Sequence, residues 1–514
     1  MKRFCRLIFS RYFFSAIMIV LELSVLLLWL FGIWQNSIYA LIIGYLVNFI
    51  AVLNLITKDT NPEYKIPWLI ILIAVPLFGT VLYTLFYSRP MSRREGELMK
   101  ELYYDLKGQE DKEVLEKTLL ELRAENERAA GDALSILNDD AFSKIYRDSG
   151  CSYLKIGEEY FEKMLFLISR AKRFVFLEYF IISEGNMLSR LLDVLFKKAD
   201  SGVEVRIMYD DLGSMKTLSK KFEKALQDSK ISALRFNKIS PSLSTAHNNR
   251  NHRKICVIDG EWAFTGGVNI ADEYINEKAR FGHFKDGGVL VFGHAVEGFT
   301  RQFLCDWALV KKEKEDMSGY LSSFNSAEIS DTGYYIPFGS GPKPTYKREV
   351  GKRAILNLVN RSEKYLFITT PYLIIDHELT EAIRGAARRG VFVKIITPKI
   401  PDKRIIKIMT KSSYPYLLES GVKIYEYTPG FIHEKLIICD DVYMLTGTIN
   451  LDYRSLVHHY ENALWIYNSK EILTARDEFL KTISLSKEIE KSEAELNRAE
   501  RLIRSLVRVF APLL

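Results

Sequence analysis

Cysteine is scarce in this chain, with five residues among 514, and no two of them form a C-x-x-C pair. Without such pairs the usual signature of a zinc site is missing, and we expect no metal. The odd, sparse count also argues against a disulfide framework and is compatible with a reducing compartment. Cys256 and Cys439 stand in short apolar runs, where a free cysteine usually serves as a small buried hydrophobic residue.

Negative charge is not in excess either. Lys and Arg number 71 against 64 Asp and Glu, which gives a formal net charge of +7. A basic chain suits an anionic partner, and both lipid headgroups and nucleic acid meet that description. Net charge alone therefore leaves the class of partner open.

The apolar residues are concentrated near the amino terminus. Three apolar runs, residues 12–34, 38–56 and 66–87, each approach the ~20 residues with which a helix crosses a bilayer core. The first run is too long for a signal peptide, and no small-residue cleavage site separates it from the second. We therefore predict that residues 1–88 form a membrane region with three apolar helices.

Basic residues flank this region on both sides, within residues 2–11 and 89–94. The positive-inside rule then places both ends in the cytoplasm, which requires an even number of crossings. Pro76 and Gly79 interrupt the third run, so we interpret it as a re-entrant or interfacial segment after two crossings. On this hypothesis the protein is a multi-pass protein of the cell membrane, with its globular part on the cytoplasmic side.

The rest of the chain alternates strand-like and helix-like segments, and the alternation occurs twice. Strand, helix and strand are predicted at residues 173–182, 187–199 and 202–209, and again at 364–372, 379–389 and 390–397. This order indicates an α/β fold with parallel sheet and an internal duplication. We predict an amphipathic helical connector (89–140), a first domain (141–318), a linker (319–347), a second domain (348–484) and a basic amphipathic carboxyl-terminal helix (485–514).

One motif is present in both halves. His252, Lys254 and Asp259 form an H-x-K-x4-D pattern, and His433, Lys435 and Asp440 repeat it. Each copy is followed at the same offsets by a glycine and an asparagine, Gly266 and Asn269 in the first and Gly447 and Asn450 in the second. One such pattern is weak, but two copies that agree at five positions are hard to obtain by chance.

These residue types suit phosphodiester exchange. An imidazole can attack phosphorus and leave again, while a second imidazole donates and later accepts a proton. The residue two positions after each His should project to the same side of a strand, which places Lys254 beside His252 and Lys435 beside His433. With the amides of Asn269 and Asn450, these ammonium groups can surround a phosphate without any metal.

The duplicated motif resembles that of the phospholipase D superfamily, and with the apolar runs the chain resembles the bacterial cardiolipin synthases. The resemblance covers roughly residues 140 to 480. It implies two tandem, pseudo-twofold-related phospholipase D-like α-β-α domains after a helical transmembrane region, and phosphatidyl transfer through a covalent phosphohistidine with no cofactor. It favours His252 as the nucleophile and His433 as acid and base.

The resemblance also implies an acidic partner for each imidazole, contributed from beyond the opposite motif. By position these are Glu461 for His252 and Asp286 for His433. Asp259 and Asp440 belong to the catalytic motif, but they lie at the far ends of their strands and could instead hold the local loop. The other histidines, among them His247, His283, His377, His458 and His459, have no counterpart in the repeat and are expected to be structural or surface residues.

The implied function is cardiolipin synthesis by an integral membrane enzyme. One phosphatidylglycerol gives its phosphatidyl group to His252, glycerol leaves, and a second phosphatidylglycerol attacks. Hydrolysis, or transfer to another headgroup alcohol, uses the same chemistry. A nuclease with the same motifs is a different class, against which the apolar runs argue, so no nucleic-acid partner is expected. A non-catalytic scaffold is disfavoured because His, Lys and Asn are intact in both copies.

Overall fold

The computed structural model describes residues 38–87, 96–99, 101–102, 112–140, 142–238, 249–321, 329, 331–342, 346, 349–494, 505 and 508–513. The chain divides into two compact units. The described part of the first unit consists of residues 38–87, 505 and 508–513. The second unit contains the other described residues, including both copies of the motif.

Within its described residues, the first unit includes the helices α1 (Ile38–Thr57), α2 (Pro62–Ala74) and α3 (Pro76–Phe86). Pro76 ends the hydrogen-bonded path of α2, because proline has no N–H to continue a helix. Asn48 compensates at this break, since its Nδ2 carries two hydrogens and lies within hydrogen-bond distance of three acceptors, Leu72 O at 3.2 Å, Pro76 O at 3.0 Å and Thr80 Oγ1 at 2.9 Å. The third predicted run is thus two helices that begin at residue 62. No helix within the described residues is both long and apolar enough to cross a membrane, and the first predicted run, 12–34, lies outside them.

The predicted connector is part of the second unit's core. It contains α4 (Lys112–Glu125) and α5 (Glu127–Asp139), and the apolar face of α5 is buried, with Ala129 and Ala133 fully covered. The Arg361 guanidinium pairs with the buried Asp132 carboxylate at 3.1 Å, which attaches α5 to the second half of the repeat. The prediction of a separate connector over 89–140 is therefore wrong for residues 112–139, because their alanine-rich face packs on the globular unit.

The first half of the repeat forms a seven-stranded sheet in the order β1-β8-β6-β5-β2-β3-β4. Its helices pack on the faces of this sheet. This half also contains short 3-10 helical turns at Asp272–Ile275 and Ser318–Tyr320. Its elements are β1 (Ser149–Leu154), α6 (Gly157–Ser169), β2 (Phe174–Tyr179), α7 (Asn186–Asp200), β3 (Glu204–Asp210), α8 (Asp211–Ser214), α9 (Lys220–Gln227), β4 (Ser232–Phe236), β5 (Lys254–Ile258), β6 (Trp262–Gly266), β7 (His283–Lys285), β8 (Gly288–Gly293) and α10 (Val296–Lys311).

The second half forms an eight-stranded sheet in the order β19-β13-β12-β10-β15-β16-β18-β9. Apart from β19 this is the order of the first sheet, so the duplication extends to the whole topology. Its elements are β9 (Tyr334–Ser340), α11 (Val350–Arg361), β10 (Tyr365–Thr369), β11 (Leu373–Ile374), α12 (His377–Arg388), β12 (Phe392–Pro398), α13 (Arg404–Glu419), β13 (Lys423–Tyr427), β14 (Gly430–Ile432), β15 (Leu436–Cys439), β16 (Tyr443–Gly447), β17 (Leu451–Asp452), β18 (Glu461–Tyr467), α14 (Glu471–Ser484), β19 (Ser486–Glu488) and α15 (Lys491–Ala494).

Two predicted boundaries and the sheet type need correction. Residues 334–340 of the predicted linker are the edge strand β9, paired with β18, and residues 486–488 of the predicted carboxyl-terminal helix are the edge strand β19, paired with β13. Residues 495–504, 506, 507 and 514 of that helix lie outside the described residues. The sheets are mixed, since only β2-β3-β4 and β10-β12-β13 are parallel and the strands that carry the motifs run antiparallel to them.

The two halves share one hydrophobic core and exchange short strands. Phe176 of β2, Phe303 of α10 and Tyr335 of β9 belong to a single buried cluster that continues into the second sheet. In addition, β7 of the first half pairs in parallel with β14 of the second, and Asn251 forms a bridge to Tyr460. These two crossings occur immediately before the two motif histidines, and so they position the site.

Candidate active site

Each motif histidine is held by the opposite half. The His252 amide donates to Tyr460 O at 2.8 Å, and the His433 amide donates to Lys285 O at 2.8 Å. The acceptors are the residues that immediately precede Glu461 and Asp286. Each histidine therefore enters the site at the position where the other half delivers an acid, and the backbone of both crossings follows the pseudo-twofold arrangement of the sheets.

The side chains are paired in the same crossed manner. His252 Nδ1 lies 2.9 Å from both carboxylate oxygens of Glu461, and His433 Nδ1 lies 2.6 Å from Asp286 Oδ2. All four residues are buried. Because an ionised carboxylate only accepts hydrogen bonds, each pairing favours the tautomer with the proton on Nδ1. This leaves the Nε2 lone pair of each imidazole for chemistry.

Burial sets the protonation of the imidazoles. It lowers the pKa of His252, an effect that Glu461 opposes, and it lowers the pKa of His433 with help from the charges of Lys435 and Lys254. Both rings are accordingly neutral near pH 7 in the absence of substrate. A neutral imidazole is the form that can attack phosphorus.

The two lysines bring the charges of both motifs into one site. Lys254 Nζ donates to His252 O at 2.8 Å, and Lys435 Nζ donates to His433 O. Burial, followed by the charge of Lys435, lowers the pKa of Lys254 to about 7, and burial lowers the pKa of Lys435 to about 8. That Lys435 acts on Lys254, and Lys254 on His433, shows that the two motifs share one electrostatic environment.

The strand geometry behind the Lys prediction was wrong, although the two lysines do lie beside their histidines. Strand β5 begins at Lys254 and β15 at Leu436, so both histidines precede their strands. The lysine therefore reaches its histidine through the backbone carbonyl rather than by sharing one face of a strand.

The two acids differ in their surroundings. Burial raises the pKa of Glu461, but the charge and hydrogen bond of His252 outweigh it and hold that pKa well below its usual range. The hydroxyls of Ser455 and Thr448 also donate to this carboxylate. Burial raises the pKa of Asp286 to about 6, and its neighbouring donor is the Gly287 amide at 2.9 Å. The negative charge is therefore held more firmly beside His252 than beside His433.

Gly267 and Thr448 occupy the same position in the two motifs and explain part of this difference. A Cβ at Gly267 would lie 2.0 Å from Asp286 Oδ1, so a side chain there would displace the acid. At Thr448 the side chain is accommodated and its Oγ1 is the donor to Glu461. The Gly266-Gly267 pair therefore leaves space for the Asp286 carboxylate, whereas the Gly447-Thr448 pair supplies a hydrogen-bond donor to Glu461.

The two asparagines are not equivalent in the structure. Asn269 Oδ1 accepts from the Ile181 amide at 3.1 Å, and its Nδ2 donates to Tyr274 Oη at 2.7 Å. Tyr274 in turn packs edge-on against the His433 ring, with 5.5 Å between ring centroids. Asn269 therefore supports a wall of the site. The Oδ1 of Asn450 is buried without a hydrogen-bond partner among the described residues.

Asp259 and Asp440 are not brought to the site, which corrects their inclusion among the catalytic residues. Asp259 accepts the amides of residues 172–174 at 2.7–2.9 Å, and Asp440 accepts those of residues 363–365 at 2.7–2.8 Å. Five residues of extended chain, about 16 Å, separate each from its motif lysine. Both have positive φ, 56° and 55°. They fix the turn after the motif strand to the start of the neighbouring strand, which was the alternative considered for them.

His459, which was expected to be a structural or surface residue, is buried beside the His252–Glu461 pair. Its Nδ1 lies 3.6 Å from Glu461 Oε1, and its ring centroid lies 5.5 Å from that of His252. Neither of its ring nitrogens has a hydrogen-bond partner within the described part of the chain. One atom each from His252, His459 and Glu461 lie within 4.8 Å of one another, a spacing that could hold a metal ion. Its position in the sequence, two residues before Glu461, could have indicated that it lies near the active site.

The remaining histidines fall outside this cluster or outside the described residues. His283 Nδ1 is 2.9 Å from Tyr427 Oη in the crossing between β7 and β14, His377 begins α12, and His458 ends a single π-helical turn, Arg454–His458. His247 lies outside the described residues. Arg253, the residue inside the first motif, was also missed. It is buried and joins the halves, because its Nε donates to Glu461 O at 3.2 Å and its guanidinium pairs with Asp306.

Comparisons with known proteins agree with this architecture. Residues 164–279 and 355–483 match the family model described as cardiolipin synthase, phospholipase D-like domain, and residues 46–86 match the phospholipase D-nuclease N-terminal model. The fold is similar to that of a crystal structure of phosphatidylserine synthase from Haemophilus influenzae, with a TM-score of 0.55, 16% identity and coverage of 71% of this chain and 93% of that one.

Relatives of known sequence match over nearly the full length. An uncharacterized protein from Streptococcus mutans is 39% identical over 90% of this chain and 99% of its own. A cardiolipin synthase from Halalkalibacterium halodurans is 32% identical over 94% of this chain and 95% of its own. The two-domain α/β fold predicted from the duplicated motif is confirmed. The chain belongs to the bacterial cardiolipin synthases, a family of phosphatidyltransferases built from phospholipase D-like domains.

Proposed function

We propose that this protein makes cardiolipin and glycerol from two molecules of phosphatidylglycerol through a phosphohistidine at His252. The observation that carries the proposal is the crossed pairing, in which two buried imidazoles each give Nδ1 to an acid from the opposite half. That arrangement supplies two Nε2 atoms to one site with two lysines. A simple binding module needs no such pair.

In the first half-reaction, His252 Nε2 forms a bond to the phosphorus of one phosphatidylglycerol and the bond from phosphorus to the glycerol oxygen breaks. His433 protonates the departing oxygen. The phosphodiester anion between the two lysines favours the protonated form of His433, because an opposite charge nearby raises the pKa of a base. The ammonium groups of Lys254 and Lys435 offset the charge that develops on the phosphoryl oxygens.

In the second half-reaction, His433 accepts the proton of a hydroxyl on the second phosphatidylglycerol, whose oxygen attacks phosphorus. The bond from phosphorus to His252 breaks and cardiolipin leaves. The choice of His252 as nucleophile rests on its acid. Attack by nitrogen puts positive charge on the ring, and Glu461 is the carboxylate whose negative charge is held more firmly by its surroundings.

We further propose that residues 1–88 anchor the enzyme in the cell membrane, with two crossings and a third, interrupted segment. The break between α2 and α3 at Pro76 supports the interrupted segment. The catalytic halves lie on the cytoplasmic side, as the flanking basic residues favour. Reporter fusions after residue 60 and after residue 90 test this topology, and reporters found on opposite faces of the membrane would exclude the re-entrant segment.

The reaction is tested with the full chain in detergent micelles that contain phosphatidylglycerol as the sole lipid. Cardiolipin and free glycerol in equal amounts are the expected products, and a radiolabelled phosphoryl group should be recovered on the peptide that contains His252. Phosphatidic acid as the sole product would make the protein a hydrolase. Label recovered only on His433 would reverse the roles of the two histidines.

A further inference from the structure

The edge of the sheets that carries the catalytic residues also carries an unusual surface. In the register of the first sheet, Lys254 lies opposite Tyr179 of β2, which lies opposite Tyr209 near the end of β3. In the second sheet, Leu436 lies opposite Thr369, which lies opposite Ile396 near the end of β12. Since neighbouring strands are ~4.8 Å apart, the chain that follows β3 or β12 starts about 10 Å from the motif strand.

The chain after β12 exposes large apolar side chains among cations. Ile400, Ile405 and Ile408 are 39%, 47% and 46% exposed. We call these three residues the isoleucine ridge. A set of exposed basic residues surrounds the ridge: Lys399, Lys403, Arg404 and Lys411. The one acid in this stretch, Asp402, is half-buried and accepts the Tyr372 hydroxyl at 2.8 Å, so four exposed cations face a single, partly covered carboxylate.

The equivalent segment of the first half has the same character. Leu212 and Met215, which follow β3, are 41% and 52% exposed. The exposed charges that follow them are lysines, Lys216, Lys220 and Lys221, while the nearby Asp211 is buried and pairs with Arg235 at 3.4 Å. Two segments that diverge in sequence thus present the same combination at equivalent positions on either side of the site.

The ridge approaches the crossing strand that leads to the site. Ile400 Cδ1 lies 3.4 Å from the position that a Cβ on Gly282 would occupy. Gly282 immediately precedes β7, the crossing strand that leads to Asp286 and pairs with the strand that leads to His433. The opposite edge, marked by Asp259 and Asp440, differs in charge, because exposed acids such as Glu261 and Glu363 stand among its basic residues.

We propose that the isoleucine ridge, with its counterpart Leu212 and Met215, is a docking surface for an anionic lipid bilayer and holds the active-site entrance against the headgroups. Apolar side chains ringed by cations are the composition of segments that lie in an anionic membrane interface. The proposal rests on the proposed function, since phosphatidylglycerol is both the substrate and an anionic surface lipid. Docking delivers the phosphodiester to the two imidazoles without removing the lipid from the bilayer.

Site-specific fluorescence on the full chain tests the contact directly. Ile408→Cys and, as the matched control at the opposite edge, Phe392→Cys (73% exposed) are made in a Cys5→Ser background and labelled with an environment-sensitive dye. The other four cysteines are buried. In vesicles rich in phosphatidylglycerol, the dye at 408 should shift to the blue and be quenched by nitroxide lipid, whereas the dye at 392 should not. A dye at 408 that stays in water would overturn the proposal, as would equal quenching at both positions.

Activity provides the second measurement. Ile405→Ser/Ile408→Ser should make cardiolipin about tenfold more slowly than the parent in phosphatidylglycerol vesicles, because lost insertion weakens surface binding, and at nearly the parent rate in detergent micelles. Phe392→Ser should match the parent in both. Equal losses in vesicles and micelles would overturn docking. If no variant, including the parent, makes cardiolipin while the dye at 408 still inserts, the proposed function fails and the docking surface stands.

Discussion

Replacing Glu461 with glutamine removes the negative charge beside His252 and keeps the size of the side chain. The imidazole nitrogen and the carboxylate oxygens are 2.9 Å apart, so the charge on a phosphorylated ring lies roughly 4 Å from the charge on the acid. At an effective dielectric constant of about 20, such a pair is worth about 4 kcal/mol. Each 1.36 kcal/mol of barrier is tenfold in rate, so Glu461→Gln should lower the rate of cardiolipin formation by about a thousandfold.

The partner variant makes the prediction specific. Asp286→Asn should have a smaller effect, about ten- to hundredfold, because burial raises the pKa of Asp286 to about 6 and its charge is less firmly held. The assay is the initial rate of cardiolipin formation in micelles, together with the amount of trapped phosphoenzyme. Glu461→Gln should also reduce the trapped phosphohistidine, since the charge it removes stabilises that intermediate.

A matched control separates this effect from the general cost of neutralising a buried acid. Glu426 is also buried and pairs with Lys407 at 2.7 Å, but it lies in β13, away from the imidazoles. Glu426→Gln should lower the thermal unfolding temperature while leaving the rate within about threefold of the parent. Two results would refute the reasoning: a loss of less than tenfold in Glu461→Gln, or a larger loss in Asp286→Asn than in Glu461→Gln.

Three further predictions follow from the site. Asp440→Ala removes the acceptor of three backbone amides, so it should lower the free energy of unfolding by about 3 kcal/mol or more while the folded fraction keeps its turnover rate. A loss of rate without a loss of stability would show that Asp440 takes part in catalysis. Because the pKa of Lys254 is lowered to about 7, its positive charge is lost as pH rises through 7, and activity should decline there; Lys254→Arg stays charged, so its alkaline decline should move to higher pH even if its maximum is lower. His459→Asn removes an imidazole whose charge helps burial to lower the pKa of His252. Protonated His252 cannot attack phosphorus, so the acidic decline in a pH–rate profile should move to higher pH, and an unchanged profile would assign His459 a purely structural role.

The acids of the two half-sites have different hydrogen-bond donors, and this difference can give the two motif histidines different roles. His252 and His433 are related by the repeat, yet Glu461 collects donors from His252, Ser455 and Thr448, whereas Asp286 is seated against a glycine. The identity of the residue after the motif glycine, Gly267 or Thr448, decides whether the acid gains a hydroxyl donor. A symmetrical scaffold can therefore support two imidazoles with different tasks through substitutions that leave the motif residues unchanged.

Much of this protein was determined by sequence alone. Two H-x-K patterns with equal spacing predicted a duplicated α/β fold and one site built from both halves, because the same local order of strands and helices folds in the same way twice. The pairing of His252 with Glu461 and of His433 with Asp286 was expected from the resemblance to a family, and the contacts agree with it. The motif lysines were also expected beside their histidines.

Tertiary structure decided what local order cannot show. Asp259 and Asp440 stand in the motif, but extended chain places them at the opposite sheet edge, where they bind backbone amides. His459 has no repeat partner, yet the course of the chain before β18 brings it to Glu461. Strand β9 comes from a segment that looked like a linker, since an edge strand is stabilised by its neighbour and not by its own composition. Contacts between residues far apart in sequence depend on how the whole chain packs, and no local pattern contains that information.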